Sequence, residues 1–342
     1  MHNEANVMKA WQKMLIIGTA VSIMVVGGTI AYINYFAKRR LIVSTTTSLF
    51  ETGLLNETER IFEAKYAIDV QFISAGTGIA IEHARNGDAD LILVHSPSQE
   101  KTFLQEGYGV SRKIIAYNYF TIVGPQSDPA QINGQNVTEA LKRIADYGRN
   151  HTSEPTFKIW FSRGDNSGTH SKEQNLWKLA GFNYTTLSAE SWYAGGGGTM
   201  SETLLKTQDK SAYTLSDIGT YLQLKEKTQI ITLSSFLQES YDLLNVYAAV
   251  PVNQTRHNHI NFEDAITFLK FLLSDECQQL IEDFGKPDYG QGGRLFHAAV
   301  GLVAQNSTGQ AAQWIRKYAM DPFGGTECQP EYRDPRHLEL YS

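Results

Sequence analysis

The stretch Leu41-Ile-Val-Ser-Thr-Thr-Thr-Ser-Leu-Phe-Glu51 decides how the chain reads. It opens apolar and strand-like, passes through five consecutive hydroxyl side chains (Ser44 to Ser48), and ends in a helix start. Ser48-Leu-Phe-Glu51 has the spacing of a capping box, with Leu54, Leu55, Ile61 and Phe62 as the apolar positions that follow. A strand that delivers hydroxyls to a helix N-terminus builds an anion cradle. The hydroxyls donate, and the free N–H groups of the first turn point the same way along a favourable dipole. A plain Ser/Thr turn with an N-cap needs one or two of these residues, not five.

The same alternation continues outward. Short apolar runs at Val70–Ser74, Leu91–Val94, Ile114–Ala116, Phe120–Gly124, Phe157–Phe161, Ala212–Leu215, Ile230–Leu233 and Val246–Val250 are separated mostly by segments of helical length. This predicts an α/β fold with parallel or mixed sheets covered on both faces. Thr169–Ala180 reads as a helix stopped by Gly181, and Phe262–Phe284 as one or two packed helices. At 342 residues the chain exceeds what one core usually supports, about 250–300 residues, so two lobes are expected. The count of 30 Lys+Arg against 36 Asp+Glu gives a net charge of −6 and argues against nucleic acid as a partner. A single locally positive pocket remains compatible with that charge. Cys277 and Cys328 allow at most one disulfide.

Three further stretches carry chemistry. Ser74-Ala-Gly-Thr-Gly78 joins a strand to a helix, with Gly76 and Gly78 permitting close backbone approach and Thr77 offering a hydroxyl. It lacks the third glycine of a dinucleotide fingerprint, and a strand-to-helix turn that needs glycine is its plainer reading. Arg163-Gly-Asp-Asn-Ser-Gly-Thr-His170 is sharper. Arg163 supplies a permanent, fork-shaped cation, Ser167 and Thr169 supply hydroxyls at a helix start, and Gly168 opens the backbone there. Asp165 is expected to orient Arg163 or accept backbone N–H groups, and His170 to form pocket wall. Trp192-Tyr-Ala-Gly-Gly-Gly-Gly-Thr-Met200 reads equally as a loop closing over a ligand and as a connector. His257-Asn-His259 has no further ligands nearby in sequence and reads as a polar loop, not a metal site. Ser167 with His170 lacks the G-x-S-x-G context of a hydrolase elbow.

At the N-terminus, Met14–Ala37 is 24 residues without charge. As a helix it reaches roughly 36 Å, enough to cross a hydrocarbon core of about 30 Å. Tyr32, Tyr35 and Phe36 make an aromatic rim before Lys38-Arg-Arg40. Residues 1–40 are therefore read as a transmembrane anchor, with a cleaved signal peptide as the alternative. Charge flanking leans slightly toward a cytoplasmic body. Six N-x-S/T sequons, at Asn56, Asn136, Asn150, Asn183, Asn253 and Asn306, suit an exported one.

With these residues in hand, the chain resembles the tungstate-binding proteins of ABC-type uptake systems, of the periplasmic-binding-protein type II class. The resemblance rests on STTTS at Ser44–Ser48 and RGDNSGTH at Arg163–His170. Gly87–Pro97, Ala116–Pro125, WYAGGGGTM and Ala212–Leu222 add to it, in order over about Leu41 to Phe296. It implies a two-lobed fold with two crossovers, near Tyr117–Tyr119 and Leu243–Tyr247. Lobe I is then 41–118 plus 244–297, lobe II is 119–243, and 298–342 is a C-terminal extension of unknown role. The implied ligand is tungstate or molybdate, held in the cleft by Thr45, Thr46, Thr47, Ser48, Gly76, Thr77, Arg163, Ser167, Gly168, Thr169 and His170, with no cofactor and no protein-ligated cation. The implied partners are an ABC permease and its ATPase, the implied location is outside the cytoplasm on a single-pass anchor, and the chain is expected to act as a monomer without catalysis. The family often has a basic residue where Ile218 stands. A molybdate or phosphate receptor of the same fold, an anion-sensing ectodomain, and a phosphoester hydrolase using Ser167 and His170 are the competing readings.

Overall fold

The computed structural model describes residues 39–151, 156–196, 198–237, 239–285, 294–304 and 307–341. The expected anchor at Met14–Ala37 lies outside them. Among the described residues no helix is long and apolar enough to cross a membrane.

Strand β1 (Arg39–Thr46) leads through α1 (Thr47–Glu51) and α2 (Leu54–Lys65) to β2 (Ile68–Ala75), which lies parallel to β1. Helix α3 (Thr77–Asn86) returns the chain to β3 (Leu91–Val94) on the other side of β1, again parallel. After α4 (Pro97–Gln105) comes β4 (Lys113–Pro125), buried along its whole length. Two strands had been expected here, divided at Tyr117–Tyr119. One continuous strand forms instead, because no Gly or Pro interrupts a run of β-branched and aromatic residues. A register shift between Ile114 and Ala116 supplies the bend.

Beyond β4 the chain forms α5 (Val137–Asn150), β5 (Trp160–Phe161), α6 (Gly168–Leu179), α7 (Tyr184–Leu187), β6 (Tyr193–Ala194), α8 (Met200–Asp209), β7 (Thr214–Asp217), α9 (Ile218–Glu226) and β8 (Leu233–Ser235). Strand β9 (Leu244–Pro251) then re-enters the first sheet between β3 and β4, antiparallel to both. Helices α10 (Phe262–Leu273) and α11 (Asp275–Asp283) are parted at Ser274, whose extended backbone and side chain cap the second from Cys277 N–H. Strand β10 (His297–Ala298) pairs with β4.

The sheet order is β10-β4-β9-β3-β1-β2, with β7 and β8 joined to the far half of β4. Residues Lys113–Tyr119 pair with β9, while Phe120–Pro125 pair with β7 and β8. Strand β4 therefore passes through the two large hydrophobic cores and, at Val123, a smaller third one with Met200, Leu204 and Tyr221. One core gathers Leu41, Val43, Leu91–Val94, Tyr247 and Phe268. The other gathers Ile122, Ile144, Trp160, Trp177 and Leu215. Cys277 and Cys328 are buried free thiols of the first core.

The chain after Ala298 is folded onto this body. Val303, Ile315, Ala319 and Met320 belong to the second core, and Phe323 and Cys328 to the first.

Candidate ligand-binding site

The five hydroxyls of Ser44–Ser48 divide between the end of β1 and the first turn of α1. Ser44 Oγ lies 3.0 Å from His83 Nδ1, and Thr45 Oγ1 donates to the Leu93 carbonyl at 3.1 Å, so both are spent on neighbouring elements. Thr46, not Ser48, caps α1: its Oγ1 accepts from Leu49 N–H. The turn therefore comes two residues earlier than the capping-box spacing predicts. Ser48 is buried in the first turn, 3.4 Å from Thr46 Oγ1. Thr47 is left facing outward, toward Arg163.

Opposite stands the loop from β5 to α6. Arg163 is 3% exposed, and its Nη2 donates to Asp165 Oδ2 at 2.5 Å and to Thr47 Oγ1 at 3.5 Å. Its Nε donates to the Gly198 carbonyl at 3.3 Å, so the glycine-rich loop is its backing. That support needs glycine at 164. Its φ is +62°, and a Cβ would lie 2.6 Å from the Gly196 nitrogen. Asp165 turns its other oxygen to Ser167 N–H at 3.1 Å, and Ser167 Oγ caps α6 from His170 N–H at 3.2 Å. His170 shapes this loop: Nδ1 accepts from Asn166 N–H at 3.0 Å, and Nε2 lies 2.8 Å from Tyr184 OH. Its ring thus engages groups other than the Ser167 hydroxyl, and the hydrolase constellation does not form.

The third wall is the turn into α3. Gly76 precedes the helix, and a Cβ there would come only within 4.0 Å of Ser167, so the two loops face each other at van der Waals range. Thr77 is wholly buried and Thr169 is 1% exposed. Neither hydroxyl has a hydrogen-bond partner among the described residues. An orphaned buried hydroxyl costs about 1–3 kcal/mol, so two on facing loops mark a place built for an acceptor.

Sequence reasoning assigned no role to His95 or Glu173. His95, after β3, packs its ring against Gly168, and its Nδ1 is buried without a partner among the described residues. Burial and the Arg163 charge push its pKa down to about 4, which keeps it neutral. Glu173 lies inside the second core and takes bonds from Trp160 Nε1 at 2.8 Å and Tyr193 OH at 2.5 Å. Burial pushes its carboxyl up to about 7. His257 and His259 hold the Arg85 and Gly87 carbonyls at 2.8 and 2.9 Å. No cluster of metal-ligating side chains occurs among the described residues.

Residues 27–276 match the PBP superfamily domain. The tungstate-binding protein TupA of Peptoclostridium acidaminophilum is 36% identical over 257 residues, 74% of this chain and 84% of the relative. This chain belongs to the PBP superfamily and, within it, to the TupA family.

Two solved structures agree with that membership. The tungstate-binding protein TupA from Desulfovibrio alaskensis G20 superposes with a TM-score of 0.63 at 33% identity, over 76% of this chain and 98% of that one. The tungstate ABC transporter structure from Geobacter sulfurreducens gives 0.64 at 36% identity, over 72% of this chain and all of that one. In this TupA-family chain the facing loops hang from two cores that share strand β4.

Proposed function

We propose that this protein captures tungstate between the Thr46–Ser48, Gly76–Thr77 and Arg163–His170 segments, and hands it to an ABC permease and its ATPase. The observation that carries the reading is the pair of buried hydroxyls of Thr77 and Thr169 that have no partner among the described residues, with the buried Arg163 guanidinium on the same loop as Ser167 and Thr169. A fully deprotonated tetrahedral dianion only accepts hydrogen bonds, and these groups only need an acceptor. Phosphate keeps a proton near neutral pH and would want an acceptor in return. Both oxygens of Asp165 are already engaged, by Arg163 and by Ser167 N–H. Thr46, Thr47, Ser48, Ser167, Gly168 and the first-turn N–H groups complete the donor set. Thr45 and His170 act from behind, through Leu93 and Asn166.

The lobes in this reading are 41–118 with 244–297, and 119–243, closing on an ion that bonds to both. Residues 14–37 anchor the protein, with the binding body outside the cytoplasm and acting as a monomer. The choice of tungstate over molybdate, an ion of nearly equal size, rests on the names of the relatives above. The test is isothermal titration of the full chain with tungstate, molybdate, sulfate and phosphate. One tungstate per chain, with sulfate and phosphate far weaker, is the expected result. Sulfate or phosphate binding as tightly as tungstate, or no binding of tungstate, would overturn the proposal.

A further inference from the structure

The segment from Ala299 to Tyr341 lies beyond the residues of the superfamily match, and it crosses from one core to the other. Up to Met320 its apolar side chains serve the second core, and from Phe323 they serve the first. At the crossing, adjacent residues hold opposite sides. The Tyr318 ring lies 4.7 Å from Lys172 Nζ, while the Ala319 carbonyl accepts from Arg112 Nη1 at 3.1 Å. Arg112 is wholly buried, paired with Glu100 at 2.7 Å and stacked 4.0 Å over Phe323, and it also donates to the Glu327 carbonyl at 2.7 Å. This side of the crossing is fixed to the first core just before β4 begins.

The other side leads to the site. Lys172 stands in α6, three residues after Thr169, and is 8% exposed. No carboxylate pairs with it among the described residues. Its ammonium donates to the Leu244 carbonyl at 3.0 Å and lies between the Phe120 and Tyr318 rings. With no salt bridge among the described residues, the buried ammonium is held by that carbonyl, by the field of the Asp242 carboxylate and by the two ring faces, so the tyrosine ring helps to set where this turn of α6 sits. Tyr318 and Pro322 also floor a cavity of about 390 Å³ between the two cores, whose other walls include His95, Lys101, Gly168 and Ser171.

We propose that Tyr318 is a positioning residue for anion capture. It acts through Lys172 to hold the N-terminus of α6, with Ser167, Gly168 and Thr169, against the facing loops, while Arg112 anchors the same segment to the first core. The inference rests on the tungstate reading. In the conformation described, Arg163 and Thr47 are 3.5 Å apart, so the brace stabilises the closed arrangement and slows release of the ion.

The experiment is stopped-flow tungstate binding and release on the full chain, read by tryptophan fluorescence. Tyr318→Leu is expected to speed release about tenfold, the effect of losing a desolvated cation–π contact, with association little changed. Tyr318→Phe, which keeps the ring, is expected to release like the wild type. Lys172→Met reaches the same contact from the other partner, so the inference stays testable if Tyr318→Leu does not fold. It should speed release to the same degree, and the double variant no further. Wild-type release rates in Tyr318→Leu or Lys172→Met, or a Tyr318→Phe as fast as Tyr318→Leu, would overturn the inference while leaving the tungstate reading intact. A wild-type chain that binds no tungstate would overturn both.

Discussion

A Cβ on Gly168 would sit 2.4 Å from Cε1 of His95 and 2.9 Å from its Nδ1. The two residues come from elements far apart in the chain: His95 follows β3, and Gly168 opens α6. The imidazole is 4% exposed, with the Tyr247 ring tilted against it at 5.0 Å, so any retreat of the ring can only be toward the cavity that both residues line. Gly168→Ala should therefore destabilise the chain by about 1–3 kcal/mol and weaken tungstate binding, because the loops can no longer approach. His95→Ala in the same chain should recover most of both losses. A double-mutant cycle by urea melts and calorimetry checks this, and purely additive effects would sink the contact.

Arg163 carries a permanent positive charge at the facing loops, with its fork divided among Asp165, Gly198 and Thr47. Charge-assisted bonds contribute about 1.5–3 kcal/mol each, so Arg163→Ala should weaken tungstate binding by about 10- to 150-fold. Arg163→Lys should recover little, since an ammonium cannot span the same partners. Arg163→Glu should give no measurable heat of binding. Unchanged affinity in that variant would show that the site lies elsewhere.

How far the sequence reveals this site depends on how local each cause is. Caps and turns are local, so a helix start near Gly168 and the helix stop at Gly181, whose φ is +94°, are readable from a few residues, whereas among five hydroxyls the spacing picked Ser48 as the cap where Thr46 serves. Register is not local. That the Thr45 hydroxyl is spent on Leu93 follows from how β1 pairs with β3, and five hydroxyls in a row look alike until that pairing is known. His95 is illegible for the same reason: its role is defined by Gly168, a residue distant in sequence. Strands β6 and β10, of two residues each, carry no periodicity at all. The extension after Ala298 looked loose because its apolar residues are shared between two cores and repeat with no single period.

Glu173 makes stability depend on pH. Its folded pKa of about 7 lies above the ordinary value of 4.5, because burial disfavours the carboxylate. Between those values the native state binds more protons than the unfolded one, so stability falls as pH rises. The contribution is fully present below about pH 4.5 and lost once pH passes about 7, on the order of 3 kcal/mol in all. Glu173→Gln keeps an acceptor for Trp160 and Tyr193 and removes the titration. Urea melts followed by tryptophan fluorescence from pH 5 to 8 should show a downward slope in the wild type and a flatter one in the variant. Equal slopes would mean that Glu173 is not the titrating group.

Thr77 and Thr169 set function against stability. Each hydroxyl is buried without a partner among the described residues, so each costs about 1–3 kcal/mol until an acceptor arrives. Valine has nearly the same shape and no hydroxyl to satisfy. Thr77→Val and Thr169→Val should each raise the thermal midpoint of the ligand-free chain and lower tungstate affinity about tenfold, the loss of one hydrogen bond to a charged acceptor. The opposite signs separate this account from a packing role, in which losing the hydroxyl would leave affinity unchanged or lower both quantities together. Calorimetry beside a ligand-free thermal melt decides it. If both variants bind tungstate like the wild type, the orphaned hydroxyls do not face the ion.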